Sequence, residues 1–356
     1  MDQTEALLKE ITEASGVPGY EEAVRAVMRK HLEGVAAIEQ DRMGSFIASH
    51  KGTSAGPSIM LAGHMDEIGF MVRMITKEGF IKFVPLGGWW DMVLLGHRVS
   101  IKTAKGDVLG VLGAKPPHIL SDEERKKMVD KKDMYIDVGA RSEEEVREMG
   151  IRPGDPIIPI SDFAVMGHPR VYLSKAFDNR IGCALAMQAL QQVALEGHPN
   201  SVYAVGTVQE EVGLRGAKTS SFAINPDVGI VLEVDIAGDV PGIRPEESSI
   251  KMGGGPSLLL YDARMIPHLK LRDLVIATAE ELEIPLQFSA MPGGATDGAM
   301  IQSNSVGVPT VVLAVPTRHI HSHNSILCRD DYDQALRLVV AVIKKLDSAT
   351  VSTICS

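Results

Sequence analysis

The stretch Val202–Ala217, VYAVGTVQEEVGLRGA, decides the fold. Its first half, with Val202, Ala204, Val205 and Val208 and no proline, predicts a strand buried on both faces. Its second half sets Gln209, Glu210 and Glu211 where that strand ends, ahead of a turn at Gly213 and Gly216. Carboxylates leaving an apolar strand are costly unless they are paired or bind a cation. A solvated strand end is the ordinary reading of such a pair, and it holds until the other strands are compared. The other reading has one glutamate binding a cation while its neighbour, pointing the other way, moves protons.

Three further apolar runs end in polar groups. Ser58–Ala62 leads into Gly63-His64-Met65-Asp66-Glu67, Val228–Val234 stops at Asp235, and Pro309–Val315 leads into the His319, His321, His323 segment. His64 and Asp66, two apart, face one side of an extended segment, which suits a ligand histidine with a carboxylate on its other ring nitrogen. Asp178 and Asn179 open a periodic apolar helix, Ile181 to about Leu195, and either has a plain reading as its N-cap. Open α/β sheets bind ligands at the carboxyl ends of their strands. Each polar end has a bland explanation alone; together, in one topological place, they read as a site. Two histidines and several carboxylates without cysteine suit Zn²⁺, Co²⁺ or Mn²⁺. Five such donors exceed the needs of one catalytic ion and suit two ions about 3.5–4 Å apart that share a carboxylate. In an extended segment His319, His321 and His323 stand roughly 6.5–7 Å apart on one face, so spacing admits one primary ligand and leaves its identity open.

Between Phe70 and Phe163 the texture changes to short β-like pieces, with one helix marked by Ser142 and Glu145 as a capping box. This predicts a β-rich domain, residues 70–163, inserted into an α/β domain of residues 1–69 and 164–356. Trp89-Trp90 is divided evenly between core and interface readings. The 36 basic and 46 acidic residues give a charge of −10, which argues against nucleic-acid or anionic-membrane partners. The opening MDQTEALLKEI reads as a polar helix start, not a signal peptide, and no apolar window suits a membrane span. Three widely spaced cysteines fit a reducing, cytoplasmic setting.

The sequence resembles the tetrahedral (TET) aminopeptidases, dinuclear metallopeptidases that include glutamyl and deblocking enzymes, some of them labelled endoglucanases. The matching stretches are GHMDEIGF (63–70), LGGWWD (86–91), KAFDNRIGCA (175–184), VQEEVGLRGAK (208–218), EVDIAGDVPG (233–242), PGGATDGA (292–299) and RHIHSHNS (318–325). The resemblance implies a mixed-sheet α/β metallopeptidase domain with an inserted PDZ-like β domain. It implies two divalent ions per subunit, one on His64 and Asp235, the other on Glu211 and His321, with Asp178 bridging. Glu210 would then be the general base, and Asp66 would orient His64. Peptides would be the substrates, and homo-oligomers, dimers building a tetrahedral dodecamer, the assembly. Asn179 stands where many members have a second Asp, and Ala295 lengthens the Gly-Gly-Thr-Asp loop.

The expected reaction is hydrolysis of N-terminal residues by a metal-activated water, with Glu210 taking its proton. A deacylase or carboxypeptidase shares this chemistry, and a peptide-binding scaffold would use the insert. A glycosidase needs two carboxylates about a sugar and leaves the histidines without a role.

Overall fold

The computed structural model describes residues 1–53 and 56–356. The chain opens with helices α1 (Gln3–Glu13) and α2 (Glu22–Leu32), then strands β1 (Ala37–Gln40), β2 (Phe46–Lys51) and β3 (Ser58–His64). Next come β4 (Gly69–Ile75), β5 (Phe80–Leu86), β6 (Arg98–Thr103) and β7 (Gly106–Gly113). The helices α3 (Asp122–Arg125) and α4 (Glu143–Glu148) flank β8 (Tyr135–Asp137), and β9 (Pro156–Pro159) follows. After β10 (Ala164–Val165) and β11 (Val171–Ser174) stand α5 (Phe177–Glu196), β12 (Ser201–Thr207), α6 (Arg215–Ile224) and β13 (Val228–Ile236). The remainder runs through β14 (Ser257–Asp262), α7 (Leu269–Glu281), β15 (Gln287–Met291), α8 (Gly298–Gln302) and β16 (Thr310–Arg318). It closes with β17 (Ser325–Cys328), α9 (Arg329–Lys345) and α10 (Ser348–Cys355).

The architecture is mixed α/β. Strands β12, β3, β13 and β16 lie side by side and parallel at the centre of a mixed sheet, joined antiparallel to β2 on one side and to β14 and β17 on the other. Their side chains alternate between two cores. Ile59, Leu61, Ile230 and Leu232 join one, while Met60, Ala62, Val231 and Val312 join the other. Burial on both faces is why these strands read as unbroken apolar runs. Helix α5 packs on β3 and β13 very closely: a Cβ on Gly63 would stand 2.4 Å from the Gly182 carbonyl carbon, and one on Gly182 2.0 Å from the Leu232 oxygen. Only glycine permits that approach, and it sets Asp178, at the head of α5, against His64, at the end of β3.

Strands β4 to β9 close into a separate barrel in the order β4-β5-β8-β7-β6-β9, around Phe70, Ile81, Ile101 and Ile136. The two tryptophans divide. Trp89 is buried, donates its indole N–H to the Gly69 carbonyl at 3.0 Å and stacks on Phe70, while Trp90 is 59% exposed. Ser142 caps α4 through the Glu145 N–H, as the sequence predicts, but the Glu145 carboxylate takes the Arg141 N–H in place of that of Ser142. Among the described residues no helix is long and apolar enough to cross a membrane.

Candidate metal centre

The parallel strands bring their carboxyl ends to one edge, with His64 registered opposite Thr207 of β12. His64 ends β3, buried, and its Nδ1–H donates to the backbone carbonyl of Asp66 at 2.9 Å. That fixes the tautomer and turns Nε2 toward Asp178 Oδ1, at 3.0 Å, and Glu210 Oε2, at 3.8 Å. His321 mirrors it. Its Nδ1–H donates to the Gly88 carbonyl at 2.7 Å, and its Nε2 lies 3.3 Å from Asp178 Oδ2 and 3.6 Å from Glu211 Oε1.

Asp178 takes no part in capping its helix. Its backbone is non-helical (φ −80°, ψ 106°), and the capping oxygen is that of Asn179, which accepts the Gly182 N–H at 2.9 Å. The amide of Asn179 also donates to Leu232 O at 2.8 Å, tying the head of α5 to β13. Asp178 is thereby free to stand between the two histidines.

Three expectations change. Asp235, expected beside His64, is instead bound by the Ser257 hydroxyl at 2.6 Å and by the Ile236 N–H at 2.8 Å. The carboxylate that meets His64 is Glu233, two residues earlier on the same face of β13; donor atoms of His64, Glu210 and Glu233 lie within 4.8 Å of one another, as do those of His64, Asp178 and Glu211. Asp66 meets His64 first through its main-chain carbonyl, its carboxylate lying further off, 3.6 Å from Nδ1. That carboxylate instead accepts the N–H groups of Glu210 and Glu211, each at 3.0 Å. The histidine segment is bent, not extended, with His319 and His321 at φ 60° and 56°. The bend sends His323 away from the cluster to stack on His97 at 3.8 Å, and leaves His319 exposed. Sequence reading also passed over Asp297, buried with Oδ2 bound to the Thr207 hydroxyl and Oδ1 unpartnered among the described residues.

Burial raises the carboxyl groups of Glu210 and Glu233 well above the usual range, Glu211 to about 7 and Asp297 to about 6. Burial works against the charged imidazoles, yet Glu210, Asp178 and Asp66 hold His64 well above its ordinary value, and Asp178 with Glu211 holds His321 at about 10. Burial likewise opposes ionisation of Asp178, but the two rings keep its carboxyl below the usual range. Packed carboxylates in excess of cations, one oxygen left orphaned and two imidazoles with Nε2 turned inward, make a donor set that fits divalent metal. A cleft of about 500 Å³ opens over it, walled also by Leu214, Arg264, Met291 and Ile320.

Such a cluster, at the carboxyl ends of the parallel strands of a mixed sheet, is the donor set of a metal-dependent enzyme. Residues 44–338 match the M42 glutamyl aminopeptidase family. The crystal structure of a TET aminopeptidase from the Thaumarchaeota archaeon SCGC AB-539-E09 superposes with a TM-score of 0.97 at 49% identity, over 99% of both chains. FrvX of Escherichia coli (strain K12) is 43% identical over 97% of this chain and 96% of its own. The TET1 peptidase of Pyrococcus horikoshii, which can assemble into a tetrahedron or a large octahedral shell, gives a TM-score of 0.87 at 30% identity, over 97% of this chain and 100% of its own. The chain belongs to the M42 glutamyl aminopeptidase family. Its activity is that of a metal-dependent aminopeptidase.

Proposed function

We propose that this chain removes N-terminal residues from peptides with two divalent ions, one held by His64 and Glu233, the other by Glu211 and His321, with Asp178 shared. The observation that carries this reading is the placement of Asp178, one oxygen toward each histidine. Zinc and cobalt suit the nitrogen and oxygen donors, as does manganese. Bound there, the ions supply a water of lowered pKa and polarise the scissile carbonyl. Glu210, its carboxyl pushed well above the usual range, takes a proton from the attacking water and returns it to the leaving amine. Asp66 keeps Glu210 and Glu211 diverging by holding both their amides.

Residues 70–163 form the inserted domain in this reading, and residues 1–69 with 164–356 the catalytic one. The barrel exposes Leu109, Val111 and Ile119, apolar surface suited to contacts between subunits. Together with the shells formed by the Pyrococcus horikoshii peptidase, this supports a homo-oligomer, dimers building a tetrahedral dodecamer. The three free cysteines suit the cytoplasm. The test is a panel of aminoacyl chromogenic substrates and their N-acetylated forms, with the apo-protein reloaded by each metal in turn. The free-amine substrates are expected to be cleaved and the acetylated ones spared; the reverse preference would make the protein a deacylase.

A further inference from the structure

One buried acid outside the donor cluster has no part in the chemistry so far. Glu21 immediately precedes α2, only 4% exposed, yet its side chain makes no capping bond to that helix. Its Oε1 accepts the Gly19 N–H at 2.7 Å and the Gln209 N–H, 188 residues further on, at 3.1 Å. Gln209 is the residue at which the chain leaves β12 and turns, with φ at 56°. A left-handed backbone is disfavoured wherever a Cβ is present, so it persists only where its surroundings hold it.

Those surroundings are specific. The next two amides, of Glu210 and Glu211, are taken by the Asp66 carboxylate. Three consecutive N–H groups are thus held by two buried acids, one from the connection between α1 and α2, the other from the loop after β3. On its far side Gln209 is met by Arg215, whose backbone N–H donates to its carbonyl and whose Nη1 donates to its Oε1. Burying a carboxylate is costly. The Glu21 side chain gives two bonds to loops and none to its own helix, and one of those loops carries the base and a metal donor.

We propose that Glu21 is a positioning residue for the aminopeptidase reaction: by holding the Gln209 amide it fixes the left-handed turn that aims Glu210 toward His64. The proposal rests on the reading of Glu210 as the base. Asp66 fixes the two catalytic amides relative to His64; Glu21 fixes the residue before them relative to the body of the sheet. Without it the Gln209 turn relaxes and Glu210 loses its direction, while the metal donors remain, Glu211 still held through its amide by Asp66.

The test uses the metal-loaded enzyme and Glu21→Met, which keeps the volume and removes the acceptor, beside Glu21→Gln, whose amide oxygen accepts the same two bonds. In Glu21→Met, kcat is expected to fall on the order of 10- to 100-fold, with KM and metal content kept. Hydrogen exchange of the amides of Gln209 and Glu210 is expected to quicken in the same variant. Glu21→Gln should recover most of both effects. Adding Gln209→Gly to Glu21→Met should recover part of kcat, because glycine holds a positive φ unaided. Unchanged turnover and exchange in Glu21→Met overturn the proposal. So does a loss of turnover that tracks lost metal or lowered melting temperature and is recovered by neither second substitution. Glu21→Ala repeats the comparison should Glu21→Met not fold. Glu210→Gln, measured alongside, separates the two readings: if it turns over normally the base assignment falls, and exchange at Gln209 still decides the role of Glu21.

Discussion

The Nε2 atoms of His64 and His321 stand on opposite oxygens of one carboxylate, Asp178, at 3.0 and 3.3 Å. The histidines come from β3 and from the segment after β16, which are not neighbours, since β13 runs between them. A carboxylate from the head of α5 spans that gap. Asp178→Asn keeps the shape and gives up one anionic oxygen. It should bind no more than one ion per subunit and lose activity. Two ions with normal turnover in this variant would remove Asp178 from the centre.

Glu210 is the group whose loss should separate chemistry from binding. Glu210→Gln cannot accept a proton, and general-base catalysis contributes roughly 10²–10⁴-fold. The variant should lose kcat on that scale at unchanged metal content, measured by elemental analysis and steady-state kinetics on one sample.

Glu233 stands beside His64 where the sequence suggests Asp235. Glu233→Ala should leave the His64 side without its second donor and lower metal occupancy. Asp235→Ala should keep the metal and instead unpair the Ser257 hydroxyl, at a stability cost of about 1–2 kcal/mol. Metal content and thermal unfolding of the two variants decide between them.

That difference shows where the sequence stops being legible. The central sheet and the place of the site follow from four apolar runs with polar ends, because burial on both faces and strand ends both leave marks in composition. Glu233 and Asp235 cannot be told apart in that way. A period of two puts both on one face of β13, and the choice is made by Ser257 on β14, distant in sequence. The same holds for Asp66, whose spacing from His64 suggests a side-chain contact although its carboxylate is drawn to the amides after β12. His321 lay beyond reach of spacing because the segment bends at two left-handed residues. Asn179 sits beside Asp178 and both types cap helices; only the backbone at Asp178 shows which one does.

Metal binding should be linked to pH. Without metal, His321 titrates near 10, since Asp178 and Glu211 outweigh the effect of burial, and burial holds Glu211 near 7. At pH 7 the ring therefore carries a proton and Glu211 carries part of one. Ligands bind as neutral imidazole and as carboxylate, so those protons must leave. Affinity should rise with pH, by about tenfold per unit for each proton released. Calorimetric titration of the apo-protein in buffers of different ionisation enthalpy should show net proton release at pH 7. Binding that is independent of pH and releases no protons would contradict the assignment of His321 and Glu211.

A pair of ions about one shared carboxylate would be seen in anomalous diffraction from crystals of the zinc- or cobalt-loaded protein. Two peaks are expected, about 3.5–4 Å apart. One should lie against His64 and Glu233, the other against Glu211 and His321, with an oxygen of Asp178 on each and Asp235 still bound to Ser257. A single peak, or a pair in which Asp235 replaces Glu233, would contradict this arrangement.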